Sequence, residues 1–181
     1  MNFIRTEING LWVIEPKVFN DARGYFMETF KKEVFEERIG NVDFIQDNES
    51  KSSFGVLRGL HYQEGEAAQA KLVRVVLGKV WDVAVDIRKN SPSFGKYVAV
   101  ELSEENKRQF FIPRGFAHGF LVLSETAVFA YKVDNPYSPA TERTLNCMDP
   151  NLSIPWPLTP SQLLLSEKDK AGKSLKEIQI P

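Results

Sequence analysis

The run Val80–Ile87 constrains the fold most. Trp81, Val83, Val85 and Ile87 fall on one side of an extended chain, and Val80, Asp82, Ala84 and Asp86 on the other. That two-residue period suits a strand and scatters around a helix. Tyr97–Leu102 alternates again, with Val98, Val100 and Leu102 on one side. Phe110–Ile112, Phe120–Leu123 and Ala127–Val133 are further strand-like runs. Gly78-Lys79 separates Lys71–Leu77 from the Val80 run and predicts a hairpin there. Ser91-Pro92, Pro113 and Asn135-Pro136 punctuate the gaps. Helical signal is sparse. Lys31–Ile39 is amphipathic and stops at Gly40, Ser161–Lys170 reads as another helical turn or two with Thr159 or Ser161 as N-cap, and Ser103–Asn106 reads as one helical turn. Many short strands with tight connections predict an all-β jelly-roll sandwich or barrel with a few short peripheral helices.

The 181 residues carry no repeat, low-complexity tract or linker, so a single domain over 1–181 is expected. The charges nearly cancel, 23 basic against 24 acidic, which argues against a broad electrostatic grip on nucleic acid or an anionic membrane. Cys147 is the sole cysteine, so an internal disulfide and a multi-cysteine metal site are excluded. No apolar run approaches the roughly 18 residues a spanning helix needs. Arg5 and Glu7 interrupt the N-terminus, which lacks a signal-peptide core. A cytoplasmic protein is the expectation.

Two segments resemble the paired motifs of the cupin superfamily. Gly55-Val-Leu-Arg-Gly-Leu-His61-Tyr-Gln63 resembles G-x5-H-x-H, and Pro113-Arg-Gly115-Phe-Ala-His118 resembles P-x-G-x-x-H. Cupins use such motifs to set three histidines and a glutamate around a metal. Here Gln63 replaces the second histidine. Lys71, seven residues before Gly78, replaces the glutamate. An ammonium has no lone pair to offer a cation and repels it. The expectation is no metal and no cofactor, with a base and a fixed cation facing one cavity instead. No G-x-G-x-x-G fingerprint points to a dinucleotide either.

A closer resemblance runs along nearly the whole chain, to the dTDP-4-dehydrorhamnose 3,5-epimerases. It is carried in order by Asp21-Ala-Arg23-Gly-Tyr-Phe26-Met-Glu28-Thr-Phe30, Gln46-Asp-Asn48-Glu-Ser50, Leu57-Arg58-Gly-Leu-His61-Tyr-Gln63, Lys71-Leu-Val-Arg-Val75, Asp82-Val-Ala-Val-Asp86, the Pro113–Phe120 segment, Tyr131-Lys132 and Leu165-Ser-Glu-Lys168-Asp169. The resemblance implies an isomerase acting on a nucleotide 4-keto-6-deoxysugar in dTDP-L-rhamnose biosynthesis. It implies His61 as general base, Asp169 as its carboxylate partner and Tyr131 as proton donor on the other face of the ring. Lys71 and Arg58 match cations near the keto oxygen and phosphates. Arg23, Glu28, Gln46, Asn48, His118, Glu142 and Lys168 match residues that contact the nucleotide sugar. It also implies a homodimer in which the N-terminal strand region docks on the second subunit. The chain departs from the family pattern at Glu49, usually His, at Val133–Tyr137 after Tyr131-Lys132, and at Leu145–Met148.

These residue types suit the chemistry. A 4-keto group acidifies the hydrogens on C3 and C5, so deprotonation to an enolate and reprotonation from the far side inverts either carbon. Histidine titrates near neutral pH, and a carboxylate orients it and stabilises the imidazolium. A phenol can deliver the proton if Lys71 or Lys132 lowers its pKa, and Phe26 or Tyr137 can stack on the base. Against these stand plainer readings: His61 and Tyr131 as core residues, Asp169 as a solvated acid, Lys71 as an edge gatekeeper. The functional alternatives are an epimerase of one carbon, a metal-dependent cupin, and a cupin that binds sugar nucleotides without turnover.

Overall fold

The computed structural model describes residues 1–178. Thirteen strands and two helices are assigned among them. A six-stranded antiparallel sheet has the order β1 (Asn2–Arg5), β2 (Trp12–Glu15), β10 (Gln109–Ile112), β7 (Lys71–Leu77), β12 (Thr126–Val133) and β5 (Gln46–Ser53). A five-stranded sheet faces it, ordered β13 (Glu142–Thr144), β6 (Leu57–Gln63), β11 (Phe116–Val122), β8 (Lys79–Asp86) and β9 (Tyr97–Ser103). The pair is the expected jelly-roll sandwich.

Alternation builds three apolar layers. Between the sheets lie Val73, Val75, Phe110, Phe120 and Phe129 with Val80 and Ala84, and Phe120 stacks on Phe129 at 4.1 Å. The opposite face of β8 carries Val83 and Val85, covered by Leu152, Ile154, Trp156, Leu158, Leu163 and Leu165 of the C-terminal segment. That cover explains why Val80–Ile87 is apolar on both faces. Helix α1 (Lys32–Arg38) seals the outer face of the six-stranded sheet by seating Phe35 against Phe111 and Phe44, edge to face at 5.2 and 5.5 Å.

One sequence expectation is corrected and another sharpened. Gly78 does not turn a hairpin. β7 pairs with β10 and β12, β8 with β11 and β9, so the chain crosses from one sheet to the other at Gly78. Its φ of +78° and a Thr126 carbonyl pressed where a Cβ would stand require glycine there. The turn or two of helix expected over Ser161–Lys170 forms as two separate turns. Pro160–Gln162 is a single 3-10 turn, Leu163–Leu165 is extended, and helix α2 covers only Glu167–Lys170. Leu164 bonds Gly55 and Leu57 through its backbone, which holds this stretch extended. Thr159, one of the two expected caps, is the N-cap of the first turn, and Ser166 caps α2.

Candidate active site

Alternation along β6 would set Arg58 and His61, three residues apart, on opposite faces. It is broken at Gly59. The β6–β11 register slips by one residue between His118↔His61 and Phe120↔Arg58. Gly59 has φ +132°, and a Cβ there would lie 2.9 Å from the His118 carbonyl oxygen and 2.5 Å from Gly119 Cα. The irregularity turns both Arg58 and His61 toward the space between the sheets, a known use of such kinks beside active sites. Across the gap, regular alternation on β7, β12 and β5 aims Lys71, Tyr131, Asn48 and Ser50 inward.

The result is a paired cavity. Its outer part, about 330 Å³, is lined by Gln46, Asn48, Gln63, Gln69, Tyr137 and Glu142, and its inner part, about 160 Å³, by Ser50, Arg58, His118, Phe120 and Phe129. His61, Lys71 and Tyr131 line both parts. The imidazole comes from one sheet and the phenol from the other.

His61 Nε2 lies 2.6 Å from Asp169 Oδ1. Asp169 is 4% exposed, yet its carboxylate is fully engaged. Ser166 Oγ donates to Oδ2 at 2.6 Å, and the Gly59 N–H reaches Oδ1 at 3.4 Å. Burial alone would raise the Asp169 pKa. The bonds from His61 and Ser166 outweigh it and hold the group below the ordinary carboxylate range. It therefore stays ionised beside the imidazole.

A second buried pair lies deeper. His118 Nε2 stands 2.9 and 3.0 Å from the two oxygens of Asp82, which is 0% exposed. Burial depresses the His118 pKa against the pull of Asp82. Lys71 is half-buried above this pair, and desolvation lowers its pKa to about 8 against the pull of Asp82 and Glu142. At the mouth, Glu142 binds Lys168 Nζ at 2.5 Å and accepts the Tyr137 hydroxyl at 2.8 Å. Arg58 Nε donates to Ser52 Oγ at 3.0 Å, which holds the guanidinium across the inner cavity. Among the described residues no group of three His, Cys, Asp or Glu could hold a metal ion. Lys71 lines the cavity where the cupin pattern would supply a carboxylate.

The structure thus brings together His61, Lys71, Tyr131, Asp169, Arg58, Gln46, Asn48, His118, Glu142 and Lys168. It does not bring in Arg23, Phe26 or Glu28. These lie on or just after the hairpin of β3 (Val18–Asp21) and β4 (Gly24–Met27), a separate two-stranded sheet. Arg23 is paired with Asp21 at 2.6 Å with its side chain 89% exposed, and Phe26 is 66% exposed beside Phe19. The phenol is also not tuned as expected. Burial raises the Tyr131 pKa, and the cation opposing that is Arg58. Lys132 points the other way along β12, to Asp47 at 2.8 Å and over the Phe30 ring. Glu49 lies with Asp47, Arg74 and Lys132 along the outer cleft of the six-stranded sheet, so that departure leaves the inner cavity untouched. Asp82 escaped sequence reasoning, although a carboxylate among Val80 and Ala84 on a core-facing side was the signal.

A jelly-roll cavity lined by a carboxylate-bound imidazole from one sheet and by a phenol and an ammonium from the other holds the groups that an isomerase working by proton transfer needs. The family model for dTDP-4-dehydrorhamnose 3,5-epimerase matches residues 5–177. The enzyme of that name from Shigella flexneri is 58% identical over 96% of this chain and 95% of its own length. The 3,5-epimerase of Legionella pneumophila Philadelphia 1, solved with dTDP-4-keto-L-rhamnose, superposes with a TM-score of 0.95 at 54% identity, covering 98% of this chain and 94% of that one. A 3'-monoepimerase from Streptomyces bikiniensis, solved with dTDP-quinovose, superposes at 0.89 with 35% identity, covering 96% and 87%. The chain belongs to the dTDP-4-dehydrorhamnose 3,5-epimerase family, a family of isomerases.

Proposed function

We propose that the protein inverts C3 and C5 of dTDP-4-dehydro-6-deoxy-D-glucose to give dTDP-4-dehydro-L-rhamnose, with His61 as base and Tyr131 as acid. The observation that carries this reading is the shared cavity: His61 and Tyr131 reach it from opposite sheets, and the imidazole rests on a buried, ionised carboxylate. His61 takes the proton from the carbon beside the ketone, and the C–H electron pair moves to make the enolate. Lys71 and Arg58 supply positive charge for the enolate oxygen, where one well-aimed donor is typically worth about 3 kcal/mol of barrier. Tyr131 returns a proton from the other face. Its raised pKa keeps the phenol protonated until an anion forms beside it. Exchange with solvent then resets both groups, and the cycle repeats at the second carbon.

The same reading carries a small-molecule nucleotide-sugar substrate and a cytoplasmic location. It also carries a homodimer. Phe19, Tyr25 and Phe26 expose large rings on one projecting hairpin, and such clusters mark association surfaces. In a dimer, Arg23, Phe26 and Glu28 of one copy close the cavity of the other and supply the contacts that a single chain lacks. The likeness to a monoepimerase favours one rival, inversion at a single carbon. The test is the wild-type reaction in heavy water followed by NMR. Deuterium at both C3 and C5 with an L-rhamno product is expected, and deuterium at one carbon alone overturns the double inversion. Full turnover after EDTA treatment is expected too, and loss of turnover restored by a divalent metal contradicts the metal-free route.

A further inference from the structure

We infer that Ser166 is a positioning residue for the reaction, through a hydroxyl that clamps the Asp169 carboxylate onto His61. This inference rests on the reading of His61 and Asp169 as the working pair. The hydroxyl does two things at once. It donates to Asp169 Oδ2 at 2.6 Å and accepts the Asp169 backbone N–H at 3.2 Å. Together these bonds tie side chain and backbone of one residue to one oxygen, so the Asp169 carboxylate has little freedom to rotate. The opposite oxygen, Oδ1, is thereby left facing His61 at 2.6 Å.

The geometry leaves no substitute donor. Asp169 is buried, and Oδ2 has no other hydrogen-bond partner among the described residues. Removing the hydroxyl leaves a buried charged oxygen unpaired, which is far more costly than losing an exposed bond. The carboxylate then gains by turning away or by taking up a proton, and either change weakens its hold on the imidazole. The tether is also local. α2 is a single turn between an extended stretch and the Gly172–Lys173 connection, where the Asn146 N–H reaches the Lys173 carbonyl. Ser166 is therefore the element that couples this short turn to the base.

The experiment compares Ser166→Ala, Ser166→Thr, Asp169→Asn and the Ser166→Ala/Asp169→Asn double variant in steady-state turnover, with thermal unfolding measured alongside. Ser166→Ala is expected to lower kcat about 10- to 100-fold, the factor one hydrogen bond to a charged group amounts to, with KM within about twofold. Ser166→Thr, which keeps the hydroxyl, restores most of kcat. In the double variant the loss is no larger than in Asp169→Asn alone, because the clamp has nothing left to hold. Wild-type kcat in Ser166→Ala, or losses that multiply in the double variant, overturns the positioning role and leaves Ser166 a helix cap that moves only the melting temperature. If Asp169→Asn itself turns over at the wild-type rate, the pairing of Asp169 with His61 fails first. If Asp169→Asn is crippled and Ser166→Ala is not, only the clamp fails.

Discussion

Replacing Lys71 by methionine should make the protein more stable and less active. Burial depresses the Lys71 pKa from 10.5 to about 8, even with Asp82 and Glu142 attracting the ammonium and Lys168 repelling it. At 1.36 kcal/mol per pKa unit, a difference of about 2.5 units means that the charged native state is penalised by roughly 3 kcal/mol at neutral pH. The sign follows from the proton count. The unfolded chain holds the proton more tightly, so the penalty is full below pH 8, shrinks as pH rises toward 10.5, and vanishes above it. Methionine has a similar length and no charge, so Lys71→Met removes the penalty. Guanidinium unfolding should therefore show the variant about 3 kcal/mol more stable at pH 7 and roughly half that at pH 9.5. Turnover should fall steeply at the same time, since the enolate loses a preorganised charge. A variant no more stable than wild type at pH 7, or a gap that does not narrow with pH, refutes the claim that a desolvated ammonium is held in this cavity against its solvation.

Other expectations are of the same kind. Wild-type kcat should decline as pH rises through about 8, as Lys71 loses its proton; Lys71→Arg should move that limb upward in a pH–rate profile, and an unmoved limb assigns it to another group. Gly59→Ala forces a side chain into the Gly119 backbone at a positive φ, so about 1–3 kcal/mol of stability should be lost, read by thermal unfolding, with kcat falling as Arg58 and His61 shift. Phe129→Ala removes a fully buried ring stacked on Phe120 and should lower stability by about 3–5 kcal/mol in denaturant titration. A Phe19→Ser/Phe26→Ser variant should sediment as a monomer with weakened substrate binding; an intact dimer places the interface elsewhere.

The strands that could be read from the sequence are those with an apolar face. β8, β9, β11 and β12 each press Val, Leu or Phe into a dry layer, so their period is written in hydrophobicity. β5 reads Gln-Asp-Asn-Glu-Ser-Lys-Ser-Ser and gave no such signal. It is an edge strand whose inner face lines a polar cavity and whose outer face lines a charged cleft, so neither side needs apolar residues. The turn at Gly78 was readable as a turn, but not as a change of sheet, because pairing partners are set by contacts twelve or more residues away. That His61, Tyr131 and Lys71 would face one cavity was legible through their motifs. The role of Ser166 was not, because a capping serine and a carboxylate clamp look the same until the fold brings β6 to α2.

The central claim is that two groups on opposite sheets act on opposite faces of one carbon. It is tested most directly by comparing His61→Asn and Tyr131→Phe with dTDP-4-keto-6-deoxyglucose in heavy water, following C3 and C5 by NMR. His61→Asn should abolish exchange at both carbons, a loss of about 10²–10⁴-fold or more for a missing base, while still binding the nucleotide sugar. Tyr131→Phe should keep slow exchange with the starting configuration retained. Exchange at the wild-type rate in His61→Asn, or normal inversion in Tyr131→Phe, would contradict it.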